Sequence, residues 1–186
     1  MAFNENAGSN FIQFLTNNAE AMRIDDGNVG IGVVPSAWNG LTGLQIANQA
    51  SISADSSSTQ ISSNAYYNSA WKYINTDEAS NYYQINGTHV WRHAASGSAD
   101  AAITWSQSMK IDASGNVLVG GTSVSPATDD VAGIKLSATG AIQASVDGNA
   151  ALFVNRKGAG SGTLVDFRHQ GGQVGTIGNS GGAMYI

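Results

Sequence analysis

The residues best suited to chemistry in this sequence are aromatic side chains interleaved with Asn, Gln, His and Ser between positions 64 and 105. Trp and Tyr rings stack on the apolar C–H faces of a sugar, and short polar side chains beside them hydrogen-bond its hydroxyls. We therefore predict a carbohydrate-binding surface, with Arg92 available to an acidic sugar. The predicted contact residues are Trp71, Tyr73, Trp91, Arg92 and His93. The alternative, a core of aromatic residues shared between chains, stays open at this point.

The sequence around Trp91 alternates as a strand would. His89, Trp91 and His93 should then lie on one face, with Val90 and Arg92 on the other. In an extended strand His89 and His93 are about 13 Å apart, too far to bind one metal ion together. We predict no metal and no cofactor, and only a His repeated around a symmetry axis would offer an ion three imidazoles.

Adjacent carboxylates were considered as a glycosidase pair, because such enzymes need two at a set separation. The adjacent pairs are Asp25-Asp26, Asp77-Glu78 and Asp129-Asp130. Neighbours in a strand point to opposite faces, so adjacency gives no catalytic pair within one chain. We predict that the protein is not an enzyme. The open alternative is a polysaccharide depolymerase that uses Asp77, Glu78 or Asp100.

The elements that must position these residues begin with a phrase that occurs twice. Residues 22–32, from Met22-Arg23-Ile24-Asp25, return as residues 109–120, from Met109-Lys110-Ile111-Asp112, with one residue inserted at the turn. Such recurrence indicates modules in series. Each copy predicts a strand, a tight Gly/Asn turn and a second strand, because Gly and Asn tolerate the positive φ of hairpin turns.

The phrase Met-basic-Ile-Asp-x-Gly-Asn-Val-Gly-Ile-Gly, followed shortly by Pro, resembles a repeat of the distal parts of tailed-bacteriophage tail fibres and related virion fibres. In that family it often precedes an intramolecular chaperone domain. Further stretches resemble the aromatic insert and the C-terminal strands of the same family: residues 64–74, 82–91, 101–105, 151–154, 163–168 and 173–177. The resemblance implies a homotrimer in the virion, attached to other fibre or tail proteins. It implies adhesion to a host cell surface, where the aromatic residues predict glycan as the receptor, or a purely structural role in a shaft or capsid-attached fibre.

Composition agrees with shared cores. The 186 residues include 23 Gly and only 11% charged residues, with few large aliphatic side chains. Such a chain buries little alone, and sharing apolar faces between copies would stabilise it. The net charge of −5, with eight Lys and Arg in total, argues against nucleic acid as a partner.

Localisation can be predicted from what the sequence lacks. It contains no apolar run long enough to span a bilayer, no signal-peptide pattern at Met1–Asn6 and no Cys. We therefore expect no membrane insertion. The resemblance implies assembly in the host cytoplasm into an external part of the virion.

We predict an all-β, elongated, modular fibre of short hairpins and meanders in four segments. These are a lead-in with the first repeat (1–40), the aromatic insert (41–106), the second repeat (107–130) and a C-terminal meander (131–186). Helical signal is weak, with at most one turn over 17–22. In the last segment, Asp147-Gly148 predicts a hairpin turn, 158–162 a loop between two strands, and Gly171-Gly172 and Gly181-Gly182 the turns of a meander.

Overall fold

The computed structural model describes residues 11–157 and 160–186. Within these ranges the chain forms seventeen strands and one four-residue helix, so the all-β prediction is confirmed. The chain divides into two compact units between Ser145 and Val146. Across the described ranges, no helix has the length and apolar character needed to cross a membrane.

The first unit holds fourteen strands and the helix. Their bounds are β1 (Phe11–Thr16), β2 (Ala19–Asp25), β3 (Asn28–Ile31), β4 (Thr42–Ile46), β5 (Ala50–Ala54), β6 (Ser58–Ser63), β7 (Ala65–Tyr67), β8 (Trp71–Tyr73), β9 (Asp77–Ile85), β10 (Thr88–Gly97), β11 (Ser106–Ile111), β12 (Val117–Val119), α1 (Pro126–Asp129), β13 (Gly133–Leu136) and β14 (Ile142–Ser145). Twelve of these strands form one sheet in chain order, from which only β7 and β8 are missing. Those two strands pair with each other as a separate hairpin.

Every neighbouring pair in the large sheet is antiparallel except β3 and β4, which are parallel. The connection between them, residues 32–41, crosses back over these strands, and Gly residues make room for it. A Cβ on Gly30 would lie 2.1 Å from the carbonyl oxygen of Val33, and one on Gly43 would lie 2.5 Å from the Trp38 ring. Trp38 is consequently buried, with 7% of its surface exposed.

Both copies of the repeated phrase form the predicted strand–turn–strand. In the first, Asp26 and Gly27 occupy the turn with φ of 47° and 78°. In the second, the Asp112 carboxylate accepts hydrogen bonds from the backbone N–H groups of Ser114 and Asn116, each at 2.9 Å. Hydrogen bonds from the Asn116 side chain and backbone hold the pKa of Asp112 below its ordinary value. The modules therefore share a shape but use different turn chemistry.

Residues 17–22, where at most one helical turn was predicted, form none, because Asn17 and Asn18 adopt the positive φ of a tight hairpin turn between β1 and β2. The short helix of the described residues lies at Pro126–Asp129 instead. One local prediction was wrong. Asp147-Gly148 does not return the chain as a hairpin, since residues 149–157 form no strand and give β14 no second partner.

The second unit contains β15 (Gly162–His169), β16 (Gly172–Ser180) and β17 (Ala183–Tyr185), an antiparallel meander. Its turns contain Gly171 and Gly181-Gly182, as the sequence predicts. The meander begins only at β15, because β13 and β14, at the start of the predicted segment 131–186, pair within the large sheet. Gly158 and Ala159, in the predicted Gly-rich loop, lie outside the described residues.

Candidate functional site

The β7–β8 hairpin packs on one face of the large sheet, which we call the covered face. Ala65 and Tyr73 of the hairpin form a buried cluster with Ala79 of β9 and Ala94 of β10. The Tyr73 hydroxyl donates a hydrogen bond to the carbonyl oxygen of Ala95 at 2.6 Å. This small core fixes the hairpin over the middle of the sheet.

Beneath this cover runs a row of polar residues, which we call the polar row. Each residue pairs directly with the next across six neighbouring strands, so all lie on one face. Its members are Gln45, Ser51, Ser62, Asn81, Arg92 and Gln107. The first four are almost fully buried, with at most 4% of their surface exposed. Buried polar groups destabilise a fold unless they find partners.

The polar row is satisfied by hydrogen bonds. The Gln45 side-chain oxygen accepts from the backbone N–H of Ser36 at 2.8 Å, and the Ser51 hydroxyl donates to the carbonyl oxygen of Ala65 at 2.7 Å. The Asn81 amide donates to the Ser62 hydroxyl at 2.8 Å. The row thus attaches the cover to the sheet through directional bonds.

Arg92 lies in this row within a cage of aromatic rings. Its guanidinium carbon is 4.5 Å from the ring centroids of Tyr83 and Trp105 and 5.2 Å from that of Trp71. Burial lowers the pKa of Arg92 to about 10, and Trp71 and Trp105 meet edge to face at 6.0 Å. We call Trp71, Tyr83, Arg92 and Trp105 the Arg92 cluster.

The opposite, open face of the same sheet carries an unbroken row of apolar residues, the apolar row. One residue from each of the twelve strands pairs with the next: Ile12, Ile24, Val29, Leu44, Ile52, Ile61, Tyr82, Trp91, Met109, Val119, Ile134 and Ala144. Ile52 and Ile61 expose 45% and 54% of their surface. Large apolar patches of this kind mark contact surfaces.

The rows on either side of the apolar row are uncharged as well. One runs from Phe14 and Met22 through Ile31, Ile46, Ala50, Ser63, Ser80 and His93 to Ser106. The other runs from Ala54 through Thr59, Gln84, His89, Ile111, Val117 and Leu136 to Ile142. At these paired positions of the described strands there is no Asp, Glu, Lys or Arg.

Aromatic and His side chains concentrate at the middle of the open face. The Tyr82 and Trp91 rings lie 4.9 Å apart, and His89 is 6.4 Å from Trp91 in a stacked arrangement. The Tyr82 hydroxyl is 2.6 Å from Nδ1 of His89, and Nδ1 of His93 is 2.8 Å from the Ser108 hydroxyl. His89, Trp91 and His93 therefore share a face, as their alternation predicts.

The five predicted contact residues fall on two faces of the sheet. Trp91 and His93 lie on the open face, whereas Trp71, Tyr73 and Arg92 lie on the covered side. Tyr73 is 5% exposed and belongs to the core under the hairpin. Sequence reasoning missed the ring contacts of Tyr83 and Trp105 with Arg92, although Tyr83 and Arg92 both alternate with open-face residues of their strands.

The carboxylates of the depolymerase alternative occupy separate local environments. Asp77 and Glu78 line an open groove together with His93, and the Asp77 side chain accepts a hydrogen bond from the Glu78 backbone N–H at 2.9 Å. Asp100 accepts one from the Tyr66 hydroxyl at 2.6 Å. Burial, followed by this bond, raises the pKa of Tyr66 to about 12. In the described ranges, no three His, Asp or Glu side chains are grouped as metal ligands.

The fold and these two faces define the chain as an all-β protein built around one long, largely antiparallel sheet. Comparisons with protein-family models, with curated proteins and with solved structures find no match to it. Arguments about function therefore rest on its own residues.

Proposed function

We propose that this chain is a structural and receptor-binding segment of a bacteriophage fibre, which assembles as a homotrimer and adheres to host cell-surface glycan. The observation that carries the proposal is the apolar row, a hydrophobic strip across all twelve strands that is exposed at Ile12, Ile52, Ile61, Val119 and Ile134 and half-buried elsewhere. A chain with so few large apolar residues exposes them in one line while it buries polar ones. If other copies of the chain cover this row, the apolar residues become buried in the assembly, and this explains why the single chain exposes them.

Charge supports a second copy as the occupant of the open face. Each chain carries a net charge of −5, so copies repel one another unless they meet at neutral surfaces. The apolar row and its flanking rows supply such a surface. Strand pairing between copies is not required, because side chains from facing sheets can interdigitate.

Assembly through the open face divides the predicted contact residues by role. Trp91 and His93 would then contact neighbouring chains, and the Arg92 cluster on the covered side would face outward toward a glycan. Equal sites on each chain would make attachment durable, since after one sugar binds, the others bind as intramolecular events.

The decisive experiment is the solution mass, measured by light scattering after size exclusion and followed by electrophoresis in detergent without boiling. We expect a mass near three times 19.1 kDa that survives the detergent. Binding of the assembled protein to host cells, abolished by enzymatic removal of surface glycan, would complete the test. A stable monomer would contradict the proposal.

A purely structural shaft is the second candidate, because Trp91 pairs within the apolar row and not within the Arg92 cluster. The substitution Trp71→Ala, in the Arg92 cluster, separates the two candidates, because Trp91 would lie in a shared core under either. Loss of cell binding by an intact Trp71→Ala trimer would show a recognition role for the cluster. A wild-type trimer that does not bind host cells would favour the shaft.

A further inference from the structure

Arg92 differs from Arg23 and Arg168 in having no anionic partner among the described residues. Arg23 lies 2.8 Å from Glu20, and Arg168 lies 2.8 Å from Asp166. No carboxylate of the described residues comes within 4.0 Å of the Arg92 guanidinium, although this group is half-buried. A cation withdrawn from water is normally paired, so the missing partner requires an explanation.

The hydrogen bonds of Arg92 leave part of its guanidinium unused. Nε donates to the Asn81 side-chain oxygen at 2.8 Å and Nη2 to that of Gln60 at 3.3 Å. A guanidinium has five N–H donors, and two are used here. Nη1 donates to no group in the described ranges, and it is not among the fully buried atoms that lack a partner. Among the described residues, Nη1 is therefore not fully buried, and part of its surface is accessible.

The surroundings hold this free edge in place. Tyr83, Trp71 and Trp105 pack around the guanidinium, and Asn81 fixes its orientation from within the polar row. Holding the donors in position reduces the entropy lost when a ligand binds. Trp71 and Trp105 are themselves only half-buried, so part of each of these residues next to Arg92 remains accessible.

We propose that the Arg92 cluster is a binding site for an acidic sugar, whose carboxylate pairs with Arg92 while its ring contacts Trp71 or Trp105. The proposal rests on the proposed glycan adhesion and names the class of glycan. A carboxylate supplies the missing anion and matches the planar donors of a guanidinium. An adjacent apolar sugar face matches the half-buried indole rings. A neutral sugar leaves Arg92 unpaired and binds weakly.

The test compares two probes that differ only in charge. Trigalacturonic acid and its methyl ester share one carbohydrate backbone, and their binding to the wild-type protein can be measured by calorimetry in low salt. We expect the acid to bind at least about 10-fold more tightly, since a charged hydrogen bond contributes about 1.5–3 kcal/mol. Raising the salt concentration should weaken binding of the acid and leave binding of the ester unchanged.

Variants then assign the effect to Arg92. We expect Arg92→Gln to reduce binding of the acid about 10-fold or more and to leave the ester unaffected, with Arg92→Lys intermediate. Arg156→Gln is the matched control, because Arg156 is exposed and, among the described residues, donates to the carbonyl oxygen of Gly160 and to no carboxylate. Circular dichroism and light scattering check the fold of each variant. If Arg92→Gln does not fold, the comparison of acid and ester in the wild type still decides the question.

Equal binding of acid and ester, or full binding by a folded Arg92→Gln, would overturn the proposal. So would a trimer that attaches to host cells through glycan but does not bind the acid, and the proposed function would then survive without this site. A monomer that neither attaches to cells nor binds the acid would remove both. Competition by inorganic phosphate as strong as by the acid would show a general anion site and contradict the sugar assignment.

Discussion

The covered and open faces of strands β4, β5, β6, β9, β10 and β11 have opposite chemistry at neighbouring positions. The covered face carries the polar row, from Gln45 to Gln107, and on five of these strands an adjacent residue contributes to the apolar row. On β11, where the register shifts, the apolar-row residue is Met109, two positions from Gln107. A self-sufficient domain buries its apolar face and exposes its polar one. This sheet does the reverse, and that inversion supports the proposed assembly of several copies through the open face.

The two faces also contribute differently to stability. The polar row gives little net free energy, since each of its hydrogen bonds replaces bonds to water. Its bonds do fix the position of the cover, because a displaced partner would leave a buried group unsatisfied. The apolar row fixes position less strictly, because hydrophobic contacts are not directional. Covering it would contribute more free energy, about 25 cal/mol per Å² of apolar surface removed from water. The covered face therefore positions the hairpin, and the open face would supply most of the free energy of the proposed assembly.

The largest effect is expected from a charge placed in the apolar row. Ile61 sits at its centre, 54% exposed and paired with Ile52 and Tyr82. The substitution Ile61→Asp would bury an unpaired carboxylate from each chain in the assembly, at about 3–5 kcal/mol per chain. We expect the trimer to dissociate at micromolar concentration, as measured by light scattering.

The matched control for this substitution is Ser56→Asp, which adds the same charge in the exposed turn between β5 and β6. It should leave the mass unchanged. A trimer that persists in Ile61→Asp would show that the apolar row faces solvent in the assembly. The assignment of the two faces would then be reversed.

A smaller effect is expected on the covered side, where Asn64 joins β6 to the cover. Asn64 is fully buried; its amide donates to the carbonyl oxygens of Asn75 and Glu78, and its oxygen accepts from the Asn75 N–H at 2.7 Å. The substitution Asn64→Ala removes all three bonds and leaves buried groups unpaired. We expect it to lower the free energy of unfolding by about 3 kcal/mol, as measured by urea denaturation.

Asn18→Ala provides the control for Asn64→Ala. Both residues have positive φ, 59° for Asn18 and 56° for Asn64, so the backbone strain introduced by Ala is similar. Asn18 is exposed in the β1–β2 turn and makes none of these bonds. If both variants lost the same free energy of unfolding, backbone strain would explain the whole effect. The side-chain hydrogen bonds of Asn64 would then not hold the cover in place.

Many strands and turns of this sheet could be predicted from the sequence, but which face of the sheet is buried could not. The repeated turns were predictable because Asp26-Gly27 and Ser114-Gly115 impose local backbone geometry. The alternation Ser51-Ile52-Ser53 also indicates a strand. The usual rule would bury Ile52, however, and the structure buries the two Ser residues instead. That outcome depends on distant contacts of the β7–β8 hairpin.

The cover itself shows why such contacts escape sequence reasoning. Tyr66 of β7 meets the Trp38 ring at 6.1 Å and bonds Asp100, which is 34 residues further along the chain. No periodicity links these positions. The Arg92 cluster was only half predictable for the same reason: Trp71 and Arg92 stand out by type, but their contact with Trp105 requires the hairpin to fold back over β10.

The smallest expected effect concerns this hydrogen bond of the cover and is visible as a pH dependence. Because the pKa of Tyr66 is raised from 10.0 to about 12, its neutral form is favoured in the folded state. Its contribution is therefore fully present below pH 10 and is lost as the pH rises from about 10 to about 12. We expect Tyr66→Phe to be less stable than the wild type by about 1 kcal/mol at pH 8, and this difference to be lost as the pH rises between about 10 and about 12. Urea midpoints across this range measure it, with Tyr67→Phe as the control on the same hairpin. A difference between wild type and Tyr66→Phe that stays constant with pH would show that the hydroxyl does not titrate between these values and would contradict the prediction.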